Sequence, residues 1–459
     1  MEDTKDNKKS SNFKRIMIAG TGSGCGKTTI TCGILRALMN KGLNVASFKT
    51  GPDYIDPMFH SRITEVKSRN LDMLLCGENT VKQLFAENSQ GMDISVVEGV
   101  MGFYDGLGTE NTDYSSNDLS NKTDTPVILV INCKGMALSV AASIKGFMEF
   151  SHNNIKGVIL NGINEGMFPF YKNLIEQHNG LKVLGFMPNL PDASIESRHL
   201  GLITADEIND LKEKIDILAQ NTAKYIDLNA IMEIAAQAPE LTYEEVKLDK
   251  IGPTRIAIAR DKAFCFYYED SLDLLRQLGA ELVVFSPLND NCLPSDIDGL
   301  ILGGGYPELF VEELSNNKAM LDSIRNAVIS KMPIYAECGG YMYLGSTIEG
   351  VEMVNAFQVN STLTNRLQNF GYVSLTAKKN NVFCKKGESI NAHEFHYSKS
   401  DNDGDGFTAT KISSGKERLG IVAEDNVFAG YPHLHLWGNI EFAKSLINRC
   451  IEFRSNVDY

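Results

Sequence analysis

Short apolar runs alternate with longer segments of helical periodicity in the first half of the chain. A helix is predicted over residues 27–41, ending at Gly42. The apolar runs predict buried strands at 15–20, 43–50, 93–100, 126–133, 156–160 and 182–188. Strands and helices that alternate in this way predict a mainly parallel sheet with helices on both faces.

The same alternation returns in the second half, after a charged segment between about 215 and 250. Strands are predicted at 255–261, 281–287, 299–305, 333–338 and 433–437, and helices at 268–278 and about 311–330. The change in character between the halves predicts a domain boundary. We expect a polar tail at 1–14, one α/β domain at 15–235, a linker at 236–253 and a second α/β domain at 254–459.

Composition narrows the class of protein. The 459 residues are 43% hydrophobic and 22% charged, with a formal net charge of −14. This acidity argues against a nucleic-acid partner, although a local basic pocket can still bind a small anion. The sequence has neither an apolar signal region nor a run long enough to span a bilayer, so we expect a cytoplasmic protein without a membrane partner. The nine scattered cysteines are typical of reduced thiols.

A glycine-rich loop follows the first strand and precedes the first helix. Its glycines would turn backbone N–H groups toward a phosphate chain at a helix N-terminus. Lys27 would reach the outer phosphates and the Thr28 hydroxyl would hold Mg²⁺. The strict phosphate-loop pattern fails by one residue, because position 21 is threonine. A turn without a ligand is the alternative. The expected ATP-binding residues are Gly22, Gly24, Gly26, Lys27, Thr28 and Thr29.

Acidic residues follow the ends of two predicted strands. Glu98 ends the strand at 93–100, where a side chain faces the ligand crevice of an open sheet, and is a candidate Mg²⁺ ligand. Asp53 and Asp56 follow the strand at 43–50 and could bind the metal or order a substrate. Asp105 is a further acidic candidate, in the segment VVEGVMGFYDG that also contains Glu98. Each of these residues could instead cap a helix or form a turn.

Cys338 lies between a buried strand and a helical stretch, in the segment PIYAECGGYMYL. A sharp turn there would present the thiol at a helix N-terminus, which lowers a thiol pKa and favours the thiolate. The Gly339 N–H could donate to an oxyanion, and Gly304 and Gly305 of another glycine run could supply a second donor. An inert buried cysteine is the alternative.

A thiol nucleophile requires a base. His433 and His435 alternate as in a strand, so one could contact Cys338 while the other supports it. His393 and His396 form a competing pair.

Seven segments together resemble the cobyrinate a,c-diamide synthases, two-domain glutamine-dependent amidotransferases of corrinoid biosynthesis. They are GTGSGCGKTTITCGI, KTGPDYIDPMFH, VVEGVMGFYDG, ESRHLGL, LILGGGYPEL, YAECGGYMYL and HLHL. The resemblance covers residues from about 15 to 445. It implies an N-terminal phosphate-loop domain similar to dethiobiotin synthetase, with a mainly parallel sheet, and a C-terminal class I glutaminase-like α/β domain.

The resemblance also implies roles for individual residues. Cys338 matches the nucleophile and His433 the base, whereas His435 stands where many class I glutaminases carry a glutamate. Glu98 matches the magnesium-side glutamate, and Asp53 is a further candidate ligand. Positions implicated in handling substrate or intermediate are Asp53, Tyr54, Ile55, Asp56 and Asp105.

The implied reaction amidates the a- and c-acetates of cobyrinate with ATP, Mg²⁺ and glutamine, through acyl phosphates. Nickel-sirohydrochlorin is the alternative acceptor, and a partition-ATPase-like switch is an alternative of another class. Gly22 replaces the second lysine that such a switch carries. A second rival is cobyric acid synthase, which shares the architecture but amidates other carboxylates; the segment KTGPDYIDP favours the a,c-diamide group. A homodimer stays open. Basic candidates for a polycarboxylate pocket are Lys49, Arg62, Arg69, Arg198 and His199.

Overall fold

The computed structural model describes residues 7–193, 197–198, 201–202, 211–381, 383–424 and 426–457. The chain divides into two compact units, Met1–Val246 and Lys247–Tyr459. Within the described part of the chain, no helix combines the length and apolar character needed to cross a membrane.

Unit 1 alternates strands and helices along most of its length. Its described strands are β1 (Lys8–Ser11), β2 (Arg15–Gly20), β3 (Val45–Thr50), β4 (Arg69–Leu71), β5 (Ile94–Glu98), β6 (Val127–Asn132), β7 (Ile155–Asn161), β8 (Lys182–Met187), β9 (Ser197–Arg198), β10 (Gly201–Leu202) and β11 (Leu241–Glu244). Its described α-helices are α1 (Lys27–Asn40), α2 (Ile55–Thr64), α3 (Met73–Cys76), α4 (Glu78–Asn88), α5 (Ser116–Lys122), α6 (Ser139–Glu149), α7 (Phe168–Asn179), α8 (Leu211–Tyr225) and α9 (Leu228–Ala235).

The central sheet of unit 1 is parallel, with the strand order β4-β3-β5-β2-β6-β7-β8. Every residue of β2, β3 and β5 is buried, as expected when both faces of a parallel sheet are covered. Because these three strands are neighbours, the segments that follow them meet at one edge of the sheet. That edge carries the glycine-rich loop and the acidic residues.

Parts of the expected tail and linker form regular structure. Strand β1 pairs antiparallel with β11, within unit 1. The pairing buries Leu241 and Tyr243 while the alternate residues of β11 face outward, and Lys9 forms an ion pair with Glu245. The polar sequence of β1 did not predict a strand, because the buried apolar side chains of this pair come from β11.

Unit 2 holds a second parallel sheet and a large antiparallel one. Its described strands are β12 (Thr254–Ala259), β13 (Phe264–Phe266), β14 (Ala280–Phe285), β15 (Gly299–Leu302), β16 (Gly304–Gly305), β17 (Ile334–Glu337), β18 (Thr347–Ile348), β19 (Val351–Glu352), β20 (Asn360–Ala377), β21 (Ser389–Ser400), β22 (Phe407–Lys411), β23 (Glu417–Gly420), β24 (Val422–Ala423), β25 (Val427–Gly430) and β26 (His433–Leu434). Its described α-helices are α10 (Glu269–Leu278), α11 (Val311–Asn316), α12 (Lys318–Ile329), α13 (Gly339–Leu344) and α14 (Ile440–Val457).

The first sheet of unit 2 has the order β14-β12-β15-β17-β25-β24, parallel except for β24 at its edge. The second is built on the long hairpin of β20 and β21, and β26 pairs with β21. The α/β class is therefore confirmed, with two differences in detail. The predicted helix at 311–330 is two helices. The predicted strand at 433–437 ends after Leu434 and continues as a 3₁₀ turn at Leu436–Gly438.

Candidate active sites

The glycine-rich loop of unit 1 joins β2 to α1. Gly26 has φ 99°, a left-handed conformation that glycine adopts without strain, and α1 starts at the next residue. The first N–H groups of a helix have no partner within it, so the start of α1 provides donors for an anion. Gly22 and Gly24 lie earlier in the same loop, and Thr28 and Thr29 lie half-buried in the first turn of α1.

Lys27 bridges the glycine-rich loop and a second loop. Its Nζ donates to the carbonyl oxygen of Gly22 at 3.1 Å and to that of Met101 at 2.5 Å. Burial lowers the pKa of this lysine. An anionic phosphate would offset that burial and give the ammonium group a charged partner in exchange for two carbonyls.

Asp56, Glu98 and Lys49 form a buried charge cluster next to the phosphate loop. Glu98 Oε1 accepts from the Thr28 hydroxyl at 2.6 Å, and Lys49 Nζ lies 3.1 Å from the same oxygen. Lys49 also contacts Asp56 Oδ2 at 2.5 Å. His60 completes the cluster, since its Nε2 lies 2.8 Å from Glu98 Oε2.

The buried charges of this cluster shift the pKa values of its members in different directions. Burial alone would lower the pKa of Lys49, but Asp56 and Glu98 raise it above its usual value. Burial opposes ionisation of Glu98, yet Lys49 and the hydrogen bonds from His60 and Thr28 lower its pKa below the usual range. Burial and the neighbouring Glu98 raise the pKa of Asp56. A cation bound nearby would favour the ionised form of Asp56.

The donor atoms of this cluster suit magnesium. Thr28 Oγ1 lies 2.6 Å from Glu98 Oε1 and 3.4 Å from Asp56 Oδ1, and hydroxyl, carboxylate and phosphate oxygens are the ligands that Mg²⁺ prefers. Within the described ranges, no group of three or more His, Cys, Asp or Glu is arranged to hold a metal. One hydroxyl and two carboxylates therefore fit an ion that also takes oxygen ligands from a nucleotide.

The remaining expected residues of unit 1 lie around this cluster. Asp53 is 3.9 Å from Lys49 through one oxygen and accepts the Ile55 N–H through the other. Tyr54 precedes α2, and Ile55 is its buried first residue. Asp105 accepts the Gly102 N–H at 2.9 Å and so shapes the loop whose Met101 carbonyl meets Lys27.

The basic candidates separate into different environments. Lys49 is buried among carboxylates, whereas Arg62 is exposed on α2 and Arg69 is half-buried in β4. His199 and the side chain of Arg198 lie outside the described residues.

Cys338 of unit 2 lies at a sharp turn between β17 and α13. Its φ of 45° and ψ of −103° are unusual for a residue with a side chain, and such strain persists where the surrounding structure fixes it. The Cys338 N–H donates to the Gly430 carbonyl at 2.7 Å, and the Cys338 carbonyl accepts from Met342 at 3.0 Å. These bonds hold the thiol at the start of α13.

His433 adjoins Cys338 and is buried. Burial lowers the pKa of its imidazole, but hydrogen bonds to Cys338 and Glu337 outweigh burial and raise the pKa to about 10. Its Nδ1 lies 3.3 Å from Glu337 Oε2. The two partners of His433 therefore favour the protonated form of its ring.

The two glycine segments expected to form the oxyanion site approach the same pair. A side chain at Gly304 would come within 2.5 Å of the His433 ring, so glycine at this position leaves room for the imidazole. A side chain at Gly339 would come within 3.2 Å of the Gly305 nitrogen. The segments that hold Gly339 and Gly305 thus lie side by side next to Cys338.

Comparisons with known proteins agree for both units. Residues 16–202 match the model of the CobQ/CobB/MinD/ParA nucleotide binding domain, and residues 255–440 match that of the CobB/CobQ-like glutamine amidotransferase domain. The cobyrinate a,c-diamide synthase of Clostridium tetani is 44% identical over 446 residues, covering 95% of this chain and 100% of that protein.

Two further relatives are similar over nearly the whole chain. The cobyrinate a,c-diamide synthase of Clostridium acetobutylicum is 41% identical and covers 95% of this chain and 100% of that protein. That of Thermoplasma volcanium is 40% identical, with 96% and 98% covered. The chain belongs to the cobyrinate a,c-diamide synthase family. It is a glutamine-hydrolysing amide ligase with a nucleotide-binding domain.

His435 does not support the pair of Cys338 and His433 in the way that the alternation of the two histidines predicts. Its ring stacks on Tyr268 with centroids 4.9 Å apart, and neither ring nitrogen has a hydrogen-bond partner among the described residues. The expectation assumed that strand alternation continues to residue 435, but β26 ends at Leu434. Burial lowers the pKa of His435 to about 3, so the ring is neutral.

The competing histidine pair is held in other contacts. His393 lies opposite His433 in the β21–β26 ladder and packs edge-on against Tyr372. His396 stacks on Tyr431 at 3.8 Å, and its Nδ1 lies 2.8 Å from the Ser398 carbonyl. Burial lowers the pKa of these rings to about 3 and about 4.

Sequence reasoning missed Glu337 and His60. Glu337 directly precedes Cys338, but its partner His433 is 96 residues away, and no local pattern joins them. His60 left a weak signal, because it lies four residues after Asp56 and so shares a face of α2 with it.

Proposed function

We propose that this family member amidates the a- and c-acetate carboxylates of cobyrinate, with ATP as the activating substrate and glutamine as the nitrogen donor. The observation that carries the proposal is the buried pair of Cys338 and His433 in the same chain as a phosphate loop with its own carboxylate cluster. The names of the relatives supply the acceptor.

The glutaminase half-reaction uses the thiol and the imidazole. Cys338 and His433 share one proton, which lies on the imidazole while the sulfur attacks the side-chain amide carbon of glutamine. The developing oxyanion lies toward the Gly339 and Gly304–Gly305 backbone. The C–N bond then breaks, His433 returns the proton to the leaving nitrogen, and ammonia is released. Water hydrolyses the thioester to glutamate.

The synthetase half-reaction activates a carboxylate that is a poor electrophile. The γ-phosphoryl group of ATP passes to an acetate oxygen of the acceptor, giving an acyl phosphate and ADP. Ammonia then attacks the acyl carbon and displaces phosphate. Lys27 and the N-terminus of α1 would bind the nucleotide phosphates. Mg²⁺ held by Thr28, Glu98 and Asp56 would neutralise charge on the phosphates.

The acceptor is tested by mass spectrometry with amide-¹⁵N glutamine, ATP and Mg²⁺. One set of tubes contains cobyrinate and the other nickel-sirohydrochlorin. The proposal predicts that cobyrinate gains ¹⁵N at both acetates. Amidation of the nickel compound alone would replace the acceptor and leave the chemistry in place. Hydrolysis of ATP without amidation of either compound would overturn the proposal in favour of a nucleotide switch.

A further inference from the structure

Both carboxylate oxygens of Glu337 are engaged near His433. Oε2 lies 3.3 Å from His433 Nδ1, and Oε1 accepts the backbone N–H of Leu434 at 2.7 Å. The Tyr335 hydroxyl also donates to Oε1. The side chain is buried, so these contacts fix it without competition from solvent.

The strand architecture explains how a residue next to the nucleophile reaches the base. Side chains two apart on a strand share a face, which brings Tyr335 and Glu337 of β17 together. β17 pairs in parallel with β25, where Glu337 lies opposite Gly430. The chain then reaches β26 after two residues, and β26 presents His433 and the Leu434 N–H to the carboxylate.

Many class I glutaminases carry a glutamate two residues after the catalytic histidine. This chain has His435 at that position. That ring is neutral, lies against Tyr268 and lacks a hydrogen-bond partner among the described residues. His393, across the ladder from His433, is likewise uncharged. Neither ring carries the negative charge that would stabilise an imidazolium.

We propose that Glu337 is the positioning residue that orients His433 toward Cys338, in place of a carboxylate two residues after the histidine. A carboxylate that accepts the Nδ1–H fixes the tautomer and leaves the other ring nitrogen for the thiol. It also stabilises the positive charge that His433 holds while the thiolate exists. This inference rests on the proposed role of Cys338 as nucleophile.

The test measures glutaminase kcat and KM of the full chain in the presence of ATP and acceptor. E337Q removes the charge and keeps the shape. We expect kcat to fall at least about 100-fold, with little change in KM, because proton transfer by a misoriented base is slow. The E337D variant keeps the charge and should recover part of that loss.

A second readout separates orientation of His433 from a merely structural role. A chloroketone analogue of glutamine alkylates the thiolate, and its rate against pH reports how much thiolate is present. In E337Q the alkylation profile should move to higher pH, because the imidazolium that favours the thiolate is less stable. E352Q, at an exposed glutamate of the same unit, is the matched control and should retain the wild-type profile.

H435F and C338S distinguish the remaining outcomes. H435F preserves an aromatic ring against Tyr268 and should stay within about threefold of wild type in kcat. Wild-type glutaminase activity in E337Q, or a loss in H435F that E337Q lacks, would overturn the inference. Loss of ammonia-dependent synthesis in E337Q would show that this variant misfolds. E337D is then measured in its place, and a wild-type kcat with a wild-type alkylation profile would overturn the inference. Glutaminase activity that survives in C338S would instead refute the proposed nucleophile.

Discussion

Two histidines that lie two residues apart in the sequence have opposite electrostatic environments. Hydrogen bonds to Cys338 and Glu337 overcome burial and raise the pKa of His433 to about 10. His435 is buried without such partners, and its pKa falls to about 3. Burial favours the neutral form of both rings, so the hydrogen-bond partners decide which histidine carries charge.

The environment of His435 predicts a pH-dependent stability. The unfolded chain binds a proton at this residue below about pH 6.5, whereas the folded chain does so only below about 3. Acid therefore destabilises the wild type relative to H435F, by about 1.4 kcal/mol per pH unit below the unfolded pKa. Urea unfolding at pH 7, 6 and 5 measures the difference, followed by fluorescence of the single tryptophan, Trp437, which is buried in unit 2. A difference that does not change with pH would contradict this environment.

Among the elements, α13 determines where the thiol lies. Gly340 in its first turn packs directly on β15: a side chain there would come within 2.2 Å of the Leu302 carbonyl oxygen. Because the neighbouring atom is backbone, it cannot move aside as a flexible side chain would. The close approach of this helix to the sheet therefore fixes the turn that contains Cys338.

A pair of glycine-to-alanine changes tests this packing. G340A should lower the free energy of unfolding by about 1–3 kcal/mol, because α13 must shift away from β15. Gly146 also lies in a helix, but nothing lies within 4 Å of a side chain at that position. G146A should raise the free energy of unfolding by about 0.5–1 kcal/mol. Equal effects of the two changes in chemical denaturation would show that α13 does not pack tightly.

Elements with a local signal in the sequence were predictable, whereas elements that depend on distant partners were not. The parallel strands and the glycine-rich loop were predictable because continuous apolar runs and glycine spacing are local signals. The antiparallel hairpin of β20 and β21 was missed, since most of β20 is exposed or half-buried and lacks a long apolar run. Glu337 and the β1–β11 pair were missed because their partners are far away in the chain.

At the scale of the whole molecule, two kinds of chemistry occupy one chain. Unit 1 contains the lysine and the oxygen atoms of the proposed phosphate and magnesium site, and unit 2 contains the thiol and the imidazole of the proposed glutaminase site. In the proposed reaction, unit 2 releases ammonia and unit 1 consumes it. Variants that disable one half should therefore separate the two nitrogen sources.

This division of labour is tested by quantifying the diamide product formed from cobyrinate and ATP, with either glutamine or ammonium as the nitrogen source. C338S should lose synthesis from glutamine and retain synthesis from ammonium, because unit 1 still activates the carboxylate. K27A should lose synthesis from both nitrogen sources, because alanine at position 27 cannot bind the phosphates of ATP. Glutamine-dependent synthesis by C338S at the wild-type rate, or unchanged synthesis by K27A, would contradict the account.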